Sequence, residues 1–157
     1  MALSLDELFP NYEFKPFEVS VKNGREKLFM CFRNDWDNAA QTSVVLAEPA
    51  KLAPYLNELA TTRNPNWIKP KLTKAFTCLA QAKNPSNPVP ASKVGYAQDK
   101  PGFLIFGDGI TRAQALLEMK ADYIPLNVQS HHADKIQQLV GGKHPVLQAG
   151  LYVLKAS

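Results

Sequence analysis

The sequence predicts an α+β fold, a single compact domain in which helices flank a mixed β-sheet. Three observations carry this. The chain has 157 residues, 45% of them hydrophobic, which suits one ordered core. In the second half, strand-length apolar runs alternate with segments of helical periodicity. The uninterrupted run Phe103-Leu104-Ile105-Phe106, as expected of a strand buried on both faces, leads through a glycine-rich turn into a helix. The domain is expected to span 1–157, with an N-terminal hairpin and helices over 1–86 and a motif-bearing core over 87–157.

The elements follow in chain order. Residues 3–9 suit a short helix capped by Ser4 and stopped by Pro10. Residues 17–21 alternate apolar and polar, Asn23-Gly24 favours a two-residue hairpin turn, and 28–32 form the return strand. Residues 34–38 are turn-like and 43–46 make a short β-branched strand. Pro49 suits a first helical turn, and Leu52, Tyr55, Leu56 and Leu59 share one face, although Pro54 should kink or delay the helix. After a break at Asn64-Pro65-Asn66, a second helix is expected over 70–83, then a loop over 84–88. Residues 89–94 form a strand that Pro90 confines to an edge. A helix over 111–120 and a strand over 124–128 follow. Ser130 caps a helix over 131–140 that Gly141-Gly142 ends, and 146–154 close the chain as a strand.

Composition excludes several classes. No apolar run approaches the roughly 18 residues of a membrane span. Residues 1–12 carry Asp6 and Glu7 and lack the basic start of a secretory signal, so a cytoplasmic protein without membrane insertion is expected. Cys31 and Cys78 lie in apolar surroundings, which favours buried thiols over a disulfide. The net charge of +4 is compatible with a phosphate-bearing partner and equally with a solvated surface. There is no Walker P-loop, Ser–His–Asp order or Cys–His signature.

Chemistry concentrates in Gly107-Asp108-Gly109-Ile110-Thr111-Arg112. Glycine allows a sharp turn and close approach of a ligand to the backbone. The helix that follows has N–H groups without intrahelical acceptors and a partial positive charge, which favour an anion. Arg112 can give a phosphate two parallel hydrogen bonds, Thr111 adds a hydroxyl, and Asp108 can cap the helix or hold a metal. The candidate phosphate-binding residues are therefore Gly107, Gly109, Ile110, Thr111 and Arg112, and the candidate catalytic residues Asp108 and Arg112. A purely structural turn, with Asp108 as cap and Arg112 at the surface, is the competing view.

The strand, the G-x-x-R turn, the following helix and Ile124-Pro125-Leu126-Asn127-Val128 together resemble the core of ParB and sulfiredoxin domains, through Gly109, Arg112, Ala115 and Pro125. The resemblance implies nucleotide phosphate at the turn. Ile110 stands where a sulfiredoxin has its catalytic Cys, so sulfinic-acid reduction is not implied. Thr111 stands where a partition ParB has a second Arg, and the chain has no room for that protein's further domains. Asn87-Pro88-Val89-Pro90, Val94, the stretch 106–112, Leu116-Leu117, Tyr123-Ile124-Pro125 and Gly141-Gly142 bring the chain closer to the plasmid fertility inhibition factors of the Osa/FiwA type. That resemblance implies a plasmid-borne protein that blocks DNA transfer by a competing conjugation or type IV secretion system. It also implies ATPase and DNase activity, with ATP or another nucleotide, DNA and Mg²⁺ as ligands. The alternative is a non-catalytic module that docks on a transfer coupling protein.

Other groups are weighed against plainer roles. Arg63, Trp67, Lys69, Lys71 and Lys74 mix cations with an aromatic, as a nucleic-acid surface does, and also as a solvated helix start does. His131 and His132 are neighbours about 100° apart on a helix, which disfavours a shared metal and favours exposed imidazoles. Asp35 and Asp37 in a polar loop, with Asp99 and Asp108, are the carboxylates a metal-dependent nuclease would use. The sequence names no metal.

Overall fold

A computed structural model describes residues 12–14, 17–31, 42–62, 65–83, 89–97, 99, 102–148 and 152–154. The helix expected over 3–9 and the loop at 34–38 lie outside them. The N-terminal hairpin pairs β2 (Phe17–Val21) with β3 (Glu26–Cys31), Val21 opposite Glu26. Its loop is four residues, 22–25, rather than two, because Lys22, Asn23 and Gly24 all take positive φ. The return strand consequently starts at Glu26. β5 (Val89–Pro90) adds to β3 in parallel, with Pro90 at the sheet edge where its missing N–H is tolerated.

The larger sheet has the order β7-β6-β8-β4-β9. Here β4 is Thr42–Ala47, β6 is Ser92–Tyr96, β7 is Leu104–Asp108, β8 is Ile124–Gln129 and β9 is Leu147–Gln148. β8 pairs antiparallel with β4 and parallel with β6, so the sheet is mixed. The single strand expected over 89–94 is two strands in two sheets, parted at Ala91, whose N–H donates to the Cys31 carbonyl (2.8 Å). The closing strand likewise divides into β9 and β10 (Tyr152–Leu154), which pairs with β1 (Tyr12–Phe14).

Helix α1 (Pro49–Thr62) runs through Pro54 without delay, and α2 (Pro65–Ala80) starts five residues before the expected point, with Pro65 rather than Pro70 in its first turn. An internal proline costs a helix about 3 kcal/mol. Leu52 and Leu56 of α1, and Ala75 and Leu79 of α2, are buried in the common core, and that packing outweighs the local cost. Helix α3 (Ile110–Glu118) packs on α2 and α1 and buries Ala113, Ala115 and Leu116. Helix α4 (Ala133–Val140) packs on β4 and is preceded by a 3₁₀ turn, Ser130–His132. Ser130 does not cap it; its hydroxyl pairs with that of Ser43 (2.8 Å).

One apolar cluster joins both larger sheets and the helices. Cys31 is buried and Cys78 half-buried, and the two do not form a disulfide. No helix among the described residues is long and apolar enough to cross a membrane.

Candidate functional site

The antiparallel pairing of β6 with β7 builds the site. It sets Val94 opposite Phe106, then shifts register so that Lys93 stands opposite Asp108. β7 therefore continues to Asp108, and Gly109 alone links it to α3. Gly109, not Asp108, is the residue before the helix, and it is left-handed (φ 81°, ψ 20°). Such a backbone costs a residue with a Cβ about 1–2 kcal/mol. The first intrahelical bond runs from the Ala113 N–H to the Gly109 carbonyl (3.0 Å), so the N–H groups of Ile110, Thr111 and Arg112 precede the helical ladder.

The two glycines make room for the protein's own cations. A Cβ at position 107 would stand 3.3 Å from Lys93 Cδ, because the lysine stem crosses that glycine. A Cβ at position 109 would collide with the Arg112 guanidinium, coming within 2.9 Å of Cζ. Arg112 thus folds back on the turn it follows and is half-buried. Ser92, fully buried, donates its hydroxyl to the Gly109 carbonyl at 2.7 Å and holds the turn on the start of β6. Ile110 packs its side chain on the core and offers a ligand only its amide, while Thr111 is half-buried at the first helical turn.

Ser92 and Lys93 had no signal in the sequence. They stand well before the turn in the chain, and only the β6–β7 register brings them to it. The Arg112 guanidinium, the stem of Lys93 and three leading helix amides meet at the Gly107–Arg112 backbone, and guanidinium and helix amides are groups that suit an anion.

The other candidates lie elsewhere. Lys71 and Lys74 are exposed on α2, the helix that packs on α3; Trp67 and Lys69 belong to its first half, and Arg63 is outside the described residues. Asp99 is exposed in the loop between β6 and β7, at the far end of that strand pair from Asp108, roughly 15 Å along the strand. Asp35 and Asp37 are outside the described residues. Among the described residues no group of three His, Cys, Asp or Glu gathers around a metal position. A cavity of about 520 Å³ between Glu48, Asp122, Tyr123 and His144 does not include the turn.

The two histidines depart from expectation. The 3₁₀ turn brings their rings to 4.0 Å between centroids, and His132 is buried (7% exposed) rather than exposed, 5.7 Å from the Tyr96 ring. Burial lowers the His132 pKa below the ordinary imidazole value, helped by the nearby His131 and Lys135.

No family model matches the chain, and no curated protein matches it in sequence. Among solved structures, the α+β fold is shared by a plasmid protein. The match is the crystal structure, as a gold(I) cyanide derivative, of the Oncogenic Suppression Activity protein, a plasmid fertility inhibition factor. The two share 17% sequence identity, with a TM-score of 0.65, over 95% of this chain and 81% of that one. The shared property is the fold.

Proposed function

We propose that this protein is a fertility inhibition factor that blocks DNA transfer by a competing conjugation or type IV secretion system. It acts through a phosphate-binding site at Gly107–Arg112. The observation that carries the proposal is the cationic turn, with Lys93 and Arg112 seated on its two glycines, in a fold matched over 95% of the chain by a plasmid fertility inhibition factor. Arg112 and the amides of residues 110–112 hold the phosphate of a nucleotide or of DNA, Thr111 adds its hydroxyl, and Lys93 supplies a second charge. Asp108 ends the strand that leads into the turn, and its carboxylate is the group that would orient an attacking water or hold an Mg²⁺ ion. Bound nucleotide and Mg²⁺ would supply the ATPase or DNase chemistry.

The test compares wild type with Arg112→Ala and Lys93→Ala in a mating assay, with folding checked by thermal melting. Lost inhibition in well-folded variants supports the site, and loss of nucleotide-dependent phosphate release in the same variants makes it catalytic. Full inhibition with the turn disarmed selects the second reading, a non-catalytic module that docks on a transfer coupling protein. One observation favours that reading: the spaces left by Gly107 and Gly109 are already filled by Lys93 and Arg112.

A further inference from the structure

Two pinned walls hold a cavity open where β4 ends and β8 begins. Its floor is Leu46 and Ala47, the last residues of β4, which pair with Pro125 and Ile124. One wall is the loop after α4, with Gly142, Lys143 and His144. Gln137 of α4 fixes that loop, its Nε2 donating to the carbonyls of Gly142 (3.3 Å) and His144 (3.0 Å). Lys51 donates to the Gly141 carbonyl (3.1 Å), and the Gly142 N–H donates to the Leu46 carbonyl (3.4 Å). The second wall is Asp122 and Tyr123. The Asp122 N–H donates to the Ser20 carbonyl (2.9 Å) and the Tyr123 hydroxyl to the Glu18 carbonyl, so this wall is tied to the N-terminal hairpin. The walls touch where the Tyr123 and His144 rings meet edge to face, 5.3 Å between centroids. Closing the rest of the gap would break bonds on one side or the other, and a cavity of about 520 Å³ is left. Small-molecule sites run from roughly 300 to 1,000 Å³.

The charges around this cavity are not all answered within the chain. The Glu48 carboxylate pairs with Lys51 (3.4 Å). Asp122 and Lys143 are exposed, and among the described residues neither side chain has a hydrogen-bonding or ionic partner. One open carboxylate and one open ammonium therefore line the same cavity from different walls, over an apolar floor and beside two rings. Burial raises the Tyr123 pKa, and the Asp122 and Glu18 carboxylates raise it further, so the phenol adds no charge of its own. A phosphate would meet two carboxylates here, Asp122 and Glu48. A simple cation would meet Lys143. A metal ion lacks a set of three ligands among the described residues. A zwitterion answers both open charges.

We infer that this cavity binds a small zwitterion with an apolar side chain, an α-amino acid taken either free or as a dipeptide. Asp122 holds the ligand's ammonium and Lys143 its carboxylate, each through a charge-assisted hydrogen bond. The ligand's side chain lies over Leu46 and Ala47, against the Tyr123 and His144 rings. The inference draws nothing from the turn at Gly107–Arg112, whose residues do not line the cavity.

The experiment is calorimetric titration of the full-length protein with L-phenylalanine, with phenethylamine, which lacks the carboxylate, and with 3-phenylpropionate, which lacks the ammonium. Phenylalanine should bind about tenfold or more tighter than either analogue. Asp122→Asn should erase the preference over 3-phenylpropionate, and Lys143→Gln the preference over phenethylamine. Neither change should move the melting temperature, because both side chains are exposed. Glycylphenylalanine separates the two sources: tighter binding than phenylalanine assigns the cavity to short peptides, weaker binding to free amino acids. Arg112→Ala should bind phenylalanine as wild type does, so a failed phosphate site and a failed cavity give different results. The inference is overturned if neither phenylalanine nor glycylphenylalanine binds at about 10 mM. Equal binding of the one-charge analogues, or both preferences surviving Asp122→Asn and Lys143→Gln, would overturn it too. Loss of phenylalanine binding in Arg112→Ala would move the ligand to the turn and overturn it as well.

Discussion

β7 and β8 are both short apolar strands, and their fates are opposite. The β7 run, Phe103 to Phe106, is the more hydrophobic in composition, yet it lies at the sheet edge with Phe103 and Ile105 half exposed. β8 contains a proline and an asparagine and lies in the middle, with residues 124–128 all buried, Asn127 included. Apolar density therefore does not locate a strand in this sheet; the order of pairing does. Pro125 stands opposite Leu46 in the β4 ladder and one residue before the β6 ladder begins at Leu126. β7 instead spends its apolar residues on a surface next to the cationic turn.

That contrast can be broken in a graded way. Leu126→Ala in β8 should cost about 2–5 kcal/mol, because a fully buried leucine leaves a cavity between paired strands. Chemical denaturation would measure it, and a cost below about 1 kcal/mol would contradict the central placement of β8. Gly109→Ala should cost about 1–2 kcal/mol for the left-handed backbone alone. It should also dislodge the Arg112 guanidinium, so anion affinity should fall more than stability does. Ser92→Ala should cost about 1 kcal/mol by removing the hydroxyl bond to the Gly109 carbonyl. Its thermal shift should be matched by weaker anion binding if that bond sets the turn.

Smaller still is the pH response of His132. Its folded pKa lies below the unfolded value of about 6.5, so between the two the unfolded chain binds more protons. The His132 contribution is fully present above about pH 6.5 and is lost as pH falls through the folded pKa. His132→Gln should flatten the stability profile below about pH 6.5, and an unchanged slope would assign it to other groups. Least of all, Ile105→Ala at the exposed edge should stay within about 0.5 kcal/mol. A large loss there would mean that β7 is not the open edge.

Much of this was legible in the chain itself. The alternation at 17–21, the β-branched run at 43–46, the face formed by Leu52 and Leu56, and the strand–turn–helix at 104–118 all appear where local periodicity placed them. So does the Gly-x-x-Arg turn, because a glycine before a helix is a local signal. What failed locally failed for tertiary reasons. The helices pass through Pro54 and Pro70 because their apolar faces are buried. The predicted strand at 89–94 is split because its halves find partners in different sheets. His132 is buried because the 3₁₀ turn swings it toward Tyr96.

The sequence by itself determined the α+β class, most of the elements and the position of the Gly107–Arg112 turn, since each rests on residues within a few positions of one another. Only the tertiary structure decided that β7 is an edge, that Gly109 rather than Asp108 opens the helix, and that Ser92 and Lys93 complete the turn. Those facts depend on the β6–β7 register and on strand order, which are settled by long-range hydrogen bonding and core packing that no local pattern encodes.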